Sequence, residues 1–514
     1  MSSPEAAAGM TGDPVGGSRR GGMIRAVSEL SSSYDVVVIG AGPAGLAAAR
    51  ELAARSRSVL LVDENAAPGG QIYRSICRAT PRMRTILGKD YCIGASLVDG
   101  FLTSGCTYAP GTTVWSLSRL EAESAHCLEI GLSQNGSARL LRADHVVMAT
   151  GAIERPMPIA GWTLPGVMTA GAGQIVLKSA GLIPAGKTVL AGCGPLLYLL
   201  AAQILAAGGN VAAVLNTTDR ANRSRAIPFA LDLVRSPYGT KGLGLLSKVL
   251  AATRVVRGVT ALEAEGSGRV EAVRYRAGGK MHTIPVDTLL LHQGVIPNIN
   301  LAGAAGCALE WNARQHAFQP RADKSGRTSI AGLWIAGDGA SIAGAAAAAL
   351  AGRLVALEVL GQIGSVGEDV KVALQRPLRR QLARQQRGRA FLDTLYRPSE
   401  AFLVPRDDSV VVCRCEEIRA GQVREAIAAG VPGPNQLKTF LRCGMGPCQG
   451  RMCASTVTNM MAAERGVSPA EIGTYRLRFP VKPLRLAELA SIPQTHEARA
   501  AVHGSHAGET DAQA

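Results

Sequence analysis

Gly40-Ala41-Gly42-Pro43-Ala44-Gly45 follows a short β-branched run, Tyr34 to Ile39, and opens an Ala- and Leu-rich segment that continues to Arg55. The first glycine permits a tight turn from strand to helix. The second has no Cβ to block a pyrophosphate, and the third lets the helix lie close against the strand. A phosphate placed there sits at the positive end of the helix dipole. A second apolar run, Val59 to Val62, ends at Asp63, 23 residues after Gly40, where a carboxylate can accept hydrogen bonds from ribose hydroxyls. Strand, glycine turn, helix and strand with a terminal acid together predict the βαβ unit of a dinucleotide-binding α/β domain. The glycines alone would be weak support for it.

A second βαβ pattern runs from Lys187 to Asn216, with Gly192-Cys193-Gly194 at its turn. Leu197 stands where the third glycine belongs. The second strand ends at Leu215-Asn216, with no acid for a ribose and no arginine for a 2′-phosphate. The fold is expected; whether NAD(P), another nucleotide or nothing occupies the Gly192–Gly194 turn stays open. Alternating short strands are expected from there to about Asn300. Nothing in the first motif separates FAD from NAD, but the segment Thr328 to Ala340 (TSIAGLWIAGDGA) does. It resembles the second FAD fingerprint of the glutathione-reductase-like flavoproteins, in which a Gly-Asp pair at a strand end holds the ribityl chain. The resemblance implies FAD, held in part by Gly337 and Asp338. The fold class that follows is α/β, with two Rossmann-like domains of that flavoprotein type.

Five of the eleven cysteines fall between Cys413 and Cys453, and the other six are scattered. A secreted disulfide scaffold would be shorter and spaced differently, so the cluster points to a metal in a reducing compartment. Cys413-Arg414-Cys415 places two thiols on one side of a turn, and the Gly-rich GMGPCQG lets backbone amides approach sulfide. Cys448 follows after 32 residues and Cys453 after four more. This spacing resembles the bacterioferritin-associated-ferredoxin type of [2Fe–2S] domain, although the last pair is wider than in the simplest form. The resemblance implies Cys413, Cys415, Cys448 and Cys453 as ligands, with Cys443 a rival. A structural zinc site is the alternative, since four thiolates also suit zinc. No CxxC or CxxxxC dithiol accompanies the FAD half; Cys77 and Cys193 read as buried thiols, and His292 as a core or loop histidine. No catalytic residue is assigned.

The 514 residues suffice for several domains. The expected division is a disordered leader 1–33, an FAD domain over 34–160 and 301–365, and a second nucleotide domain over 161–300. A basic connector 366–411, a small helical cluster domain 412–473, an extended arm 474–491 and a disordered tail 492–514 follow. The net charge of +16 includes six arginines between Arg376 and Arg389, which suits a solvated helix or an acidic partner. The 4% of aromatic residues argues against a nucleic-acid stacking platform. The uncharged run Thr188 to Thr218 carries internal glycines and a proline, so it reads as strand, helix and strand rather than as a transmembrane segment.

The order of motifs is FAD turn, ATGAIERPMPIAGWTLPGV, second nucleotide fold, HQGVIPN, AGDG and CRCEE…GMGPCQGRMC. Over roughly residues 34–490 it resembles the A (α) subunits of bacterial opine oxidases, and the corresponding subunits of hydrogen cyanide synthase and of hydroxyproline or proline dehydrogenase complexes. The α chain of heterotetrameric sarcosine oxidase is more distantly similar. The resemblance implies the electron-handling subunit of a multi-subunit, FAD-dependent amine, opine or amino-acid dehydrogenase. It also implies a separate catalytic β subunit of the D-amino-acid-oxidase type, oxidising C–N bonds, and an external electron acceptor. A cytoplasmic location is expected, with any membrane association arising through partner or acceptor. A self-sufficient NAD(P)H-dependent flavin reductase and a zinc-containing scaffold are the competing readings.

Overall fold

The computed structural model describes residues 22–56, 58–120 and 128–493. Cys127, most of the expected leader and nearly all of the expected tail lie outside them. The described end of the leader is packed: Ile24 N–H donates to the Tyr108 carbonyl at 2.7 Å, and Val27 and Leu30 are buried.

The strand Ser33–Ile39 is the centre of a seven-stranded sheet. It pairs in parallel with Val59–Asp63 on one side and with Ser137–Met148 on the other. Thr107–Pro110 extends the first side in parallel, and Leu333–Ile335 pairs in parallel with residues 146–148. The first half of Ser137–Met148 leaves this layer to form an antiparallel ladder with Leu128–Gln134, which pairs in turn with Thr113–Arg119. Both faces of the central strands are buried, as the unbroken apolar runs VVVI and VLLV require. The helices Pro43–Ala53 and Ala345–Gln362 lie against one face and against each other. Ala345–Gln362 is the one helix among the described residues long and apolar enough to cross a bilayer, but Leu354, Val355, Leu357, Val359 and Leu360 place it in the core.

The second nucleotide fold is a five-stranded parallel sheet in the order Arg254–Arg257, Asn210–Asn216, Lys187–Cys193, Thr288–Gln293, Val167–Thr169. The uncharged run does fold as strand, helix Pro195–Ala206 and strand. Residues 220–252, expected as short strands, instead form helices Arg220–Ala226, Ala230–Val234 and Pro237–Ala252. Caps open the first and last of them: Asp219 accepts from Ala221 N–H, and Ser236 from Tyr238 N–H ahead of Pro237. Strands follow only afterwards, as the antiparallel sheet Val259–Glu265, Ala272–Ala277 and Lys280–Pro285. Ala152–Glu154 and Val295–Pro297 form an antiparallel pair where the chain crosses between the two domains.

The basic connector is helical. Glu368–Gln386 buries Gln375 and Leu378, and a bond from Gln375 and an ion pair from Arg379 both reach the buried Glu358. Arg389–Leu395 then crosses the second domain. The cysteine module packs helices Ala420–Ala428, Pro434–Leu441 and Ala454–Arg465 around Val412, Val423, Leu437, Val457 and Met460. It is anchored by Trp162 of the GWTLPGV stretch, whose indole N–H donates to the Val411 carbonyl at 2.8 Å while Arg414 sits 5.3 Å above the ring. The arm straps the module back: Val481 N–H donates to the Trp115 carbonyl, and Lys482 pairs with Glu64 at 2.6 Å. Its last turn is a helix, Leu486–Ala490.

Trp162 is buried at the module boundary, so Trp162→Ala is expected to cost about 3–5 kcal/mol. Thermal unfolding followed by limited proteolysis checks it, with cleavage in the stretch 396–410 as the expected sign of a loosened module.

Candidate functional site

The first cradle is built from backbone approach. A Cβ on Gly45 would run into the Gly40 carbonyl oxygen, and one on Gly352 into that of Ala44, so the helices Pro43–Ala53 and Ala345–Gln362 come into near contact. Gly337, at φ +75°, sits between Ala44 and Ala348 in the first turns of both. Two helix N-termini therefore converge, and neither N-cap residue, Gly42 or Gly344, offers a side chain to the first-turn amides. Beside Gly42 the space is open: nothing lies closer to a Cβ built there than Gly70 Cα, at 4.0 Å. Uncapped amides and dipoles aimed at one glycine-lined opening fit a dinucleotide diphosphate.

Asp63 and Asp338 both face this cradle but already serve the fold. Asp63 accepts from Ala41 N–H at 2.5 Å with one oxygen and from Asn65 with the other. Burial pushes its carboxyl up, against the hydrogen bonds that favour the charged form. Asp338 Oδ1 accepts from the Ala343 and Gly344 amides, closing the turn before the second helix. Each carboxylate retains lone pairs for a ligand hydroxyl.

The second glycine turn is closed by protein. Gly192 at φ +141° lies against the His292 backbone, and a Cβ on Gly194 would lie 3.1 Å from the His292 ring. That ring is held by Glu154 through Nδ1 at 2.5 Å, and Glu154 also accepts from Gly171 N–H. Cys193 is buried with its thiol on Gln293 Oε1 at 3.1 Å and on the Tyr396 carbonyl. Asn216, where a ribose-binding acid would stand, bonds Thr218 N–H and the Tyr198 hydroxyl. Cys77, expected to be buried, is exposed, because Ile76 takes the inward side of the turn Ile76–Arg78.

The five clustered cysteines fold into one nest as a buried trio and an outer pair. Cys413, Cys443 and Cys453 are buried, with their sulfurs within 4.8 Å of one another. Cys415 and Cys448 lie nearer the surface and interact as a pair, with Gly446 pressed against Cys415. Hydrogen bonds from Cys443 and Cys453 pull the Cys413 thiol well below its ordinary value, and the same contacts push the Cys443 and Cys453 thiols up, so without a cation the trio favours one thiolate shared among three sulfurs. The buried trio thus unites Cys413 and Cys453 of the expected four with the rival Cys443, while Cys415 and Cys448 stand as a separate pair nearer the surface. This donor set fits a cysteine-ligated iron–sulfur cluster.

Three residues given no role by the sequence reading tie the nest to the nucleotide domains. Arg155, buried in the crossing segment, donates to the carbonyls of Gln293, Gln315 and His316. His316 Nε2 meets Asn459 Oδ1 of the cysteine module at 2.7 Å. Burial, with help from the neighbouring Arg155 and Arg397, pushes the His316 imidazole down to about 4. Asn300 adds a bond from Nδ2 to the Gln449 carbonyl at 2.9 Å.

A family model for pyridine nucleotide-disulphide oxidoreductases matches residues 34–352, and one for the BFD-like [2Fe-2S] binding domain matches residues 411–463. The A-type subunit of opine oxidase from Rhizobium meliloti is 52% identical over 94% of this chain and 92% of its own length. The chain belongs to the family of opine oxidase A-type subunits. Within it the expected cofactors are the right ones, FAD and a [2Fe–2S] cluster, and the α/β architecture with a cysteine module is the expected fold. Hydrogen cyanide synthase subunit HcnB of Pseudomonas aeruginosa is 31% identical over 87% of the chain and 96% of its length. The crystal structure of L-proline dehydrogenase from P. horikoshii superposes with a TM-score of 0.64 at 21% identity, covering 89% of this chain and 79% of that one, which shows the shared fold.

Because a Cβ at position 45 meets backbone that cannot yield, Gly45→Ala is expected to lose bound flavin and at least about 3 kcal/mol of stability; flavin absorbance and a melting curve read both. His316 is neutral when folded but protonates below about 6.5 when unfolded, so the unfolded state binds more protons between there and pH 4. Stability is therefore expected to fall as pH drops through that window, by about 3 kcal/mol in all. Melting temperatures at pH 7.5 and 5 check this, and His316→Gln should flatten the difference.

Proposed function

We propose that this chain is the electron-handling subunit of a multi-subunit dehydrogenase that oxidises CH–NH or CH–NH2 donors of the opine or amino-acid class. The observation that carries the reading is that an FAD cradle and a cysteine nest are locked into one body by Trp162, Asn300 and His316. Gly40, Gly42, Gly45, Asp63, Gly337 and Asp338 hold the FAD. Cys413, Cys415, Cys448 and Cys453 hold the cluster, with Cys443 beside them. FAD supplies two-electron and the cluster one-electron chemistry, so the two together suit the division of an electron pair. The chain's own residues bury Cys413 and Cys453 and fix the module's position.

The C–N bond is oxidised on a separate β subunit of the D-amino-acid-oxidase type, and an external acceptor receives the electrons in the cytoplasm. The relatives support this division: one is named as part of opine oxidase, another as part of hydrogen cyanide synthase, and each name marks one subunit among others. The closed Gly192–Gly194 turn, with His292 over Gly194 and Asn216 already bonded, speaks for a structural second domain and against a self-sufficient NAD(P)H reductase.

The test is the purified chain, analysed anaerobically. One FAD, two irons and two sulfides per chain are expected, with no flavin bleaching by NADH and no amine oxidation until a β subunit is supplied. Zinc in place of iron, prompt bleaching, or full amine oxidation by the chain alone would overturn the proposal.

A further inference from the structure

Tyr475 lies in the arm, beyond the residues matched by the cluster-domain model. It is 2% exposed, and its ring is wedged between two glycines of the cysteine loop: a Cβ on either Gly444 or Gly450 would come within 2.7 Å of it. Its hydroxyl is 3.4 Å from Cys443 Sγ and 3.7 Å from Cys453 Sγ. The backbone on both sides is pinned to the module. Thr458 Oγ1 donates to the Gly473 carbonyl at 2.9 Å, Arg476 N–H donates to Asn435 Oδ1 at 2.6 Å, and Lys438 Nζ donates to the Arg476 carbonyl while resting 4.8 Å from the ring centroid. The phenol thus has one orientation available, and it points at sulfur.

We infer that Tyr475 is a positioning residue that donates a hydrogen bond to a cluster-ligating cysteine sulfur and thereby sets the reduction potential of the [2Fe–2S] centre. A ligating cysteine carries no proton, so in that pair only the phenol can donate. The bond withdraws charge from the sulfur and favours the reduced, more negative cluster. The hydroxyl lies within hydrogen-bond reach of both Cys443 and Cys453, so a ligand at either position has this donor beside it. The two glycines are what make this possible, because side chains at 444 or 450 would expel the ring. The inference rests on the cluster occupying the cysteine nest.

Tyr475→Phe in the full-length, cluster-loaded chain keeps the ring and removes the donor. A dye-mediated titration followed by electron paramagnetic resonance should show the reduced cluster appearing at a lower potential than in the wild type. Resonance Raman should show the iron–cysteine stretching bands displaced. Site-specific 3-fluorotyrosine at 475, a more acidic phenol and stronger donor, should move the potential the opposite way. This second variant decides the question if Tyr475→Phe fails to retain iron. Wild-type iron content with unchanged potential and Raman bands in the variants would overturn the role of Tyr475. Absence of iron from the wild type would instead overturn the cluster reading.

Discussion

Backbone packed directly on backbone is the constraint from which the rest of this molecule follows. Gly45 against Gly40, Gly352 against Ala44 and Gly337 between Ala44 and Ala348 let two helices begin at almost the same place. Each leaves first-turn amides without a side-chain cap, which is unfavourable away from water unless an anion meets them. The ligand is therefore part of the local energetics. A dinucleotide diphosphate seated there would complete the capping of both helices, and the backbone shapes that seat without any side chain. Residues 33–39, 59–63 and 333–335 are placed by the same sheet that aims the helices.

The cysteine module is joined to this frame through few but saturated polar contacts. Trp162, Asn300, Arg155 and His316 each satisfy a carbonyl or amide at the boundary or hold the loop that does. Such bonds fix distance and angle more sharply than apolar packing, which suits a junction between redox groups. The arm makes the attachment two-sided, with Tyr475 inserted at the sulfurs and Val481 and Lys482 returning to the first domain. The second nucleotide fold keeps the shape of a dinucleotide-binding domain while His292, Glu154 and the Tyr396 carbonyl occupy the surroundings of its glycine turn.

Much of this was legible in the residues in order. Glycine spacing, the acid at position 63, the AGDG turn and the clustered cysteines report local demands: a backbone approach, a strand end, a thiolate donor set. Such demands act over a few neighbours, so type and spacing suffice for the α/β class, a dinucleotide seat and a thiolate site, while the choice of FAD and of a [2Fe–2S] cluster rests on resemblance to known families. Helices at 220–252 and in the basic connector were less legible. Their caps, Asp219 and Ser236, are short polar residues that also suit loops, and only the packing of Leu378 and Gln375 decides the connector.

What the tertiary structure alone decided is which distant groups meet. Asp63 and Asp338 could be placed at strand ends from sequence, but not seen to be already hydrogen-bonded to their own backbone. Cys443 could be named a rival ligand, yet its place in the buried trio depends on how two loops thirty residues apart close together. Arg155, His316 and Tyr475 could be given no role from sequence, because a single polar residue in a crossing segment or an arm acquires its role from partners far along the chain. Periodicity and spacing record what a residue needs from its neighbours in sequence; burial and hydrogen bonding across domains exist only once the chain has folded.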